Sequence, residues 1–232
     1  MDTNKKFPVR INKYLADRGY SSRRGADELI EKKIVMINDR VAVLGDMVQE
    51  HDTVTLKNNT SPDMLYAVYY KSKGETKETL TLNSTVLYAI DQLEKDLPGI
   101  VLFTNDRRIS SRINDGKYNH EREYIVHMRD KLRDNFEEKI LKGIHIEGIK
   151  ESIKAKGAKI LEDKICAIVL TVNAPHLVQR ISLALFNEAH EIERVRVANI
   201  TNEEMKPKQS RLLDQSETET LLESLGLKPV KY

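Results

Sequence analysis

The stretch Ile90-Asp-Gln-Leu-Glu-Lys-Asp-Leu-Pro-Gly-Ile-Val-Leu-Phe-Thr-Asn-Asp106 decides how the chain is read. Its first part is polar, is centred on Glu94 and closes at Pro98-Gly99. Ile100 to Phe103 follow, four apolar residues in a row, which suits a buried strand. Thr104-Asn105-Asp106 then offers turn and N-cap chemistry for a following helix. Loops beside strand ends are where reactive side chains are commonly displayed. Glu94 is therefore the first candidate for chemistry.

Upstream, Met64 to Tyr70 reads as a hydrophobic strand, Lys71 to Gly74 as a turn, and Val86 to Ile90 as a strand leading into the loop. The polar, Thr-rich residues 75–85 carry no assignment. Downstream the pattern predicts helices over Arg107–Ile113, Asn135–Leu141, Leu177–Phe186 and Ser216–Leu225, the last capped by Ser216 with Glu219. Strands are predicted at Glu123–Met128, Ile144–Ile146, Ile153–Ile160, Ile165–Val172 and Ile192–Val197. Strands outnumber helices and the order is irregular. The expectation is an α+β fold with a mixed, mostly antiparallel sheet.

At the amino end, Ile11 to Arg18 and Arg23 to Lys32 are short helix candidates, separated by Gly19 and the capping pair Ser21-Ser22. Ile34–Ile37, Val41–Val43 and Thr53–Leu56 read as strands around turns at Asn38-Asp39 and Gly45-Asp46. Lys57 to Asp63 is polar, contains Pro62 and reads as a linker. The expected domains are 1–57, a linker at 58–63, and 64–232.

The chain has 232 residues, 40% of them hydrophobic, enough for a real core. The one cysteine, Cys166, lies in an apolar run, which makes it a core thiol and leaves a reducing compartment as the expectation. No apolar run approaches the roughly 20 residues of a membrane-spanning helix, and no signal core follows the amino terminus. A soluble, cytoplasmic protein without a membrane partner is expected. His120 and His127 flank a strand without further ligands at metal spacing, so no metal is expected. Net charge is only +2, yet Lys5 to Arg24 holds seven cations against one anion. A local basic face of that kind is the usual footprint of a phosphate backbone.

Residues 9–56 resemble the small RNA-binding module named after the S-four protein of the small ribosomal subunit. The match is carried by Arg10-Ile-Asn-Lys-Tyr-Leu15, Gly19-Tyr-Ser-Ser-Arg-Arg-Gly-Ala-Asp27, Ile34-Val-Met-Ile-Asn-Asp-Arg40 and Gly45-Asp46. The resemblance implies that Arg10, Lys13, Ser22, Arg23 and Arg24 face structured RNA, recognised by shape and backbone more than by base sequence. Residues 64–225 resemble the catalytic domain of the ribosomal RNA pseudouridine synthases that carry such a module, with the large-subunit branch closest. The motifs are Lys71-Ser-Lys-Gly74, Leu93 to Asp106, Asn119-His-Glu-Arg-Glu-Tyr124, and His176-Leu-Val-Gln-Arg-Ile181 with Glu193-Arg-Val-Arg196.

That family isomerises uridine with an aspartate held by an arginine and a tyrosine packed on the base, without metal or organic cofactor. Here its Gly-Arg-Leu-Asp is Asp91-Gln92-Leu93-Glu94. The catalytic position carries Glu94, one methylene longer, and Gln92 has no charge to pair with a carboxylate. Asp91 adds an anion that would disfavour an approaching phosphate. Pro175, Leu177 and Gln179 dilute the basic helix, leaving Arg180, and the segment between Gly74 and Asp91 is short for the family. Tyr124 matches the family tyrosine. By this resemblance Glu94, Gln92 and Tyr124 are the catalytic candidates, and Lys71, Lys73 and Arg180 join the RNA contacts. The departures favour a protein that binds ribosomal RNA, or a ribosomal subunit precursor, without turnover, and the resemblance implies a monomer. The alternative is an active synthase using Glu94.

Overall fold

The structure, a computed structural model, describes residues 7–18, 20–21, 23–57, 64–113 and 115–227. The described residues fall into two compact units, one of residues up to Met64 with Asp106–Arg108, the other of Leu65–Asn105 and the residues from Ile109 on. Ser22, Gly19 and the expected linker 58–63 lie outside the described residues.

The first unit contains β1 (Val9–Arg10), α1 (Ile11–Asp17), α2 (Arg23–Glu31), β2 (Val35–Ile37), β3 (Arg40–Val41), β4 (Met47–Val48) and β5 (Val54–Leu56). Ile11, Tyr14 and Leu15 recur at helical spacing on α1, Ala26 and Ile30 on α2, and both faces pack on Val35, Ile37 and Val48. β2 lies between β3 and β5, antiparallel to each. The two-residue loop Asn38-Asp39 closes the β2–β3 hairpin. Asn38 takes the left-handed conformation (φ 53°) that such a turn requires. Its amide donates to Asp52 at 2.9 Å and its carbonyl oxygen accepts from Thr53 N–H at 2.9 Å.

The following elements are β6 (Tyr66–Lys71), β7 (Thr79–Leu82), β8 (Thr85–Ala89), β9 (Gly99–Thr104), α3 (Arg107–Arg112), β10 (Arg122–Met128), α4 (Phe136–Lys142), β11 (Gly157–Glu162), β12 (Ile165–Leu170), α5 (Leu177–Ala184), β13 (Ala189–Val197), β14 (Ile200–Thr201), β15 (Ser210–Leu212) and α6 (Gln215–Ser224). Their main sheet runs β11-β12-β10-β13-β9-β6-β15, with the β7–β8 hairpin joined to β9 through β8, and β14 beside β13. Every pair is antiparallel except β13–β9, which is parallel and registers at a single position, Arg194 opposite Gly99. Two antiparallel halves thus meet at one seam. The main core lies between the inward face of β10, β12 and β13 and the helices α4 and α5, around Val126, Ile140, Ile168 and Ile181. A second cluster under β6, β8 and β9 is built on Ala67, Leu87, Val101 and Phe103.

The α+β class and the mostly antiparallel mixed sheet agree with the sequence reading. Three local expectations need correction. Residues 75–85, left unassigned, contain β7: Thr79-Leu80-Thr81-Leu82 alternates with strand period, and Asn83 and Ser84, both with positive φ, turn it into β8. Ile144–Ile146 is no strand. Ile144 makes only an isolated bridge to Ile153, and β11 begins at Gly157 rather than Ile153. Those isoleucines are buried in the main core, so their apolar run reports packing and not sheet pairing. Finally, α6 is capped by Asp214, in a reciprocal capping box with Glu217, rather than by Ser216.

Candidate functional site

The loop between β8 and β9 is assembled around the seam. Gly99 has φ +130°, and a Cβ there would stand 2.3 Å from the carbonyl oxygen of Arg194. Only glycine lets β9 approach β13 so closely. That approach brings the Arg194 side chain beneath the loop. Its Nε and Nη2 donate to Ile100 O at 3.0 and 2.8 Å, and Nη2 donates to Asp91 O at 2.6 Å. Its Nη1 reaches the Asp91 carboxylate at 3.1 Å. Arg122, the first residue of β10, grips the same carboxylate with Nε at 2.8 Å and Nη2 at 3.2 Å. The Asp91 side chain is 0% exposed, and the two guanidinium side chains 2% and 1%.

The reading of Asp91 as an anion that repels an approaching phosphate is therefore corrected. It is the buried centre of a charged cluster, because the loop turns it inward between two strands. The remaining guanidinium donors of Arg122 reach Ile113 O and His120 O, so the buried charges have hydrogen-bonding partners.

Lys71 pins the other end of the loop. Its Nζ donates to Lys95 O at 2.9 Å and Leu97 O at 2.7 Å, and the residue is 2% exposed. Burial pushes its pKa below the usual lysine value. Lys71 is thus a structural clamp on loop carbonyls and not the surface phosphate contact expected from the sequence. Lys73 is exposed and lines a different cavity, of about 400 Å³, with His127, Glu191 and Glu193.

Glu94 sits at the loop tip, and its side chain is about one-third exposed (34%). One oxygen accepts the backbone N–H of His176, and the other lies 2.8 Å from the His176 Nδ1. Gln92, Glu94 and Tyr124, the three catalytic candidates, line one cleft together with Leu97, Gln179 and Arg194. That cleft measures about 30 Å³, against the roughly 300–1,000 Å³ of pockets that take a small molecule. Tyr124 is buried, and burial raises its hydroxyl pKa while Arg194 opposes the shift. Arg180 points away from the cleft, donating to Glu147 O, so Gln179 takes the lining position on α5.

Asp91, Arg122, Arg194 and His176 are the residues that sequence reasoning missed as partners in this site. A signal existed for Arg122. It falls in phase with Tyr124, Val126 and Met128 on the inward face of β10, and an arginine in that phase demands a buried anion.

His120 lies just before β10, is buried, and its Nε2 has no hydrogen-bond partner. Burial lowers its pKa from 6.5, and Arg122 adds to the effect. The unfolded chain therefore takes up a proton that the folded chain resists, and stability falls as pH drops through 6.5. Urea unfolding at pH 5.5 and 7.5 is expected to show a smaller loss on acidification for His120→Phe than for the natural chain. An equal loss in both proteins means that another group controls the acid limb.

In the first unit, Arg10, Lys13, Arg23 and Arg24 are all exposed and make no ion pair with any described residue. The Asn12 amide donates to Asp27 at 2.9 Å and ties α1 to α2, which sets the two basic segments relative to each other. Guanidinium and ammonium groups left unpaired in this way are available to phosphates. Cys166 is buried, and burial pushes its thiol pKa up to about 12. Among the described residues no helix is long and apolar enough to cross a membrane, and no group of three or more His, Cys, Asp or Glu could hold a metal ion.

Residues 9–54 match the S4 domain family. Over 91% of its length the chain is 25% identical to an uncharacterized RNA pseudouridine synthase of Borreliella burgdorferi, and the match covers 92% of that protein. It is 26% identical to the dual-specificity RNA pseudouridine synthase RluF of Escherichia coli O6:H1, covering 83% of this chain and 71% of that one. It is 24% identical to the ribosomal small subunit pseudouridine synthase A of Haemophilus influenzae, covering 92% and 100%. A pseudouridylate synthase crystal structure superposes with a TM-score of 0.64 at 24% identity, covering 92% of this chain and 99% of that one. The fold and the basic amino-terminal unit together define an S4-bearing protein with a pseudouridine synthase fold. The chain is homologous to the ribosomal RNA pseudouridine synthases. A small-subunit enzyme stands among these relatives, so the resemblance is not to the large-subunit branch alone.

Proposed function

We propose that this protein binds ribosomal RNA through Arg10, Lys13, Arg23 and Arg24 and does not isomerise uridine. We place it in the cytoplasm as a monomer acting on ribosomal RNA or a subunit precursor. One observation carries the loss of turnover: Asp91 holds both buried arginines, while Glu94, at the family's catalytic position, is engaged by His176 instead. A carboxylate nucleophile or base needs an oxygen free to meet the substrate, and His176 engages both oxygens of Glu94. The cleft is also too small for a flipped nucleotide without rearrangement. RNA binding itself is supported by the S4 match and by the names of the homologous enzymes.

One feature favours the alternative of an active synthase. Glu94, Gln92 and Tyr124 still line a common cleft, on a loop whose frame is intact. Incubation with unmodified ribosomal RNA followed by pseudouridine mapping separates the two readings. No modified site is expected from the natural chain, from Glu94→Asp, or from Glu94→Asp combined with Gln92→Arg. A stoichiometric site that disappears in Glu94→Ala overturns the proposal.

A further inference from the structure

The carboxyl end of α5 is built in an uncommon way. Phe186, just beyond the C-cap Leu185, has φ +60°, the left-handed conformation that helix ends ordinarily give to glycine. A bulky side chain in that region is strained, and strain of this kind persists where the surroundings enforce it. Here they do. Phe186 N–H donates to Leu183 O at 2.9 Å and Asn187 N–H to Ser182 O at 3.0 Å. The Asn187 side chain bonds both the N–H and the carbonyl of Asp130, at 3.1 and 3.0 Å, which ties the turn to the segment after β10.

The enforced conformation brings the ring no burial, since Phe186 is 78% exposed. Beside it lies a groove of about 160 Å³ with apolar walls from Leu132, Phe136 and Leu185 and charged ones from Asp130, Arg133 and Lys139. The Arg133 guanidinium stands over the ring, 5.8 Å from its centre. Lys131 pairs with Asp163, but Arg133 and Lys139 make no ion pair with a described residue. An aromatic ring held in solvent, with Arg133 and Lys139 beside it, matches the chemistry of base stacking with adjacent phosphates. The platform and the cleft stand at opposite ends of α5, separated by about 12 Å at 1.5 Å per residue.

We propose that Phe186 is a stacking platform for a base of single-stranded RNA, with Arg133 and Lys139 holding the flanking phosphates. This rests on the reading of the chain as an RNA-binding protein. The test titrates the full chain with a single-stranded RNA containing 2-aminopurine, following fluorescence quenching and affinity, with thermal unfolding measured in parallel. Phe186→Gly is expected to abolish the quenching and weaken binding roughly tenfold, while leaving the melting temperature equal or higher, because glycine relieves the left-handed strain. Phe186→Tyr retains quenching, and Phe186→Leu, which keeps apolar bulk without a ring, loses it.

If the natural chain binds the RNA and Phe186→Gly binds it equally with the same quenching, the platform is overturned and RNA binding stands. Failure of the natural chain to bind RNA at low salt overturns both. Reduced self-association of Phe186→Gly with unchanged RNA affinity also overturns the platform and marks the patch as a protein contact.

Discussion

Asp91→Ala lowers the stability of the second unit by about 3–5 kcal/mol, the cost of removing one partner from a buried ion pair. The size follows from what is left behind. Arg122 and Arg194 are both almost wholly buried, and Asp91 supplies their shared anion. Without it two guanidinium charges remain in the interior, although their bonds to Ile113, His120, Ile100 and the Asp91 backbone oxygen can persist. Asp91→Asn keeps a hydrogen-bond acceptor without the charge and costs less than alanine. Urea unfolding followed by tyrosine fluorescence measures both variants. A change of about 0.5 kcal/mol or less in Asp91→Ala, the range of ordinary surface substitutions, contradicts the buried cluster and with it the argument that Arg194 is committed away from Glu94.

The second large effect concerns RNA affinity. If Arg10, Lys13, Arg23 and Arg24 each neutralise one phosphate, counterion release makes binding fall by roughly 50- to 150-fold between 50 and 200 mM salt. Replacing all four by glutamine removes most of that dependence and weakens binding most at low salt. Stability changes little, because the four side chains are exposed and unpaired among the described residues. The measurement is a set of RNA titrations at several salt concentrations, read as the slope of log affinity against log salt. An unchanged slope in the quadruple variant removes the first unit from the RNA interface.

The motif frame of residues 90–106 was legible because it is local. Four apolar residues, a glycine and a Thr-Asn-Asp turn specify a strand and its ends without reference to distant residues, and β9 forms there. The amino-terminal helices were legible for the same reason, with apolar residues at helical spacing facing the core and cations facing out. Gln92, Glu94 and Tyr124 do meet at one cleft, although Tyr124 lies on a separate strand. Lys71 misled because a lysine beside a glycine turn is ordinarily solvated. Its burial depends on carbonyl oxygens of Lys95 and Leu97, 24 and 26 residues away.

Asp91 marks the boundary between the two kinds of information. By itself the sequence determined the S4-type unit, the α+β class, the frame of the loop, and the replacement of the family's arginine and aspartate by Gln92 and Glu94. Only the tertiary structure decided which carboxylate holds the arginines. Those arginines come from positions 31 and 103 residues along the chain, and they converge because Gly99 lets β9 and β13 approach within backbone contact. A charge with two buried opposite charges around it is held more firmly than one that is partly solvated. That difference in surroundings, rather than in residue type, separates Asp91 from Glu94.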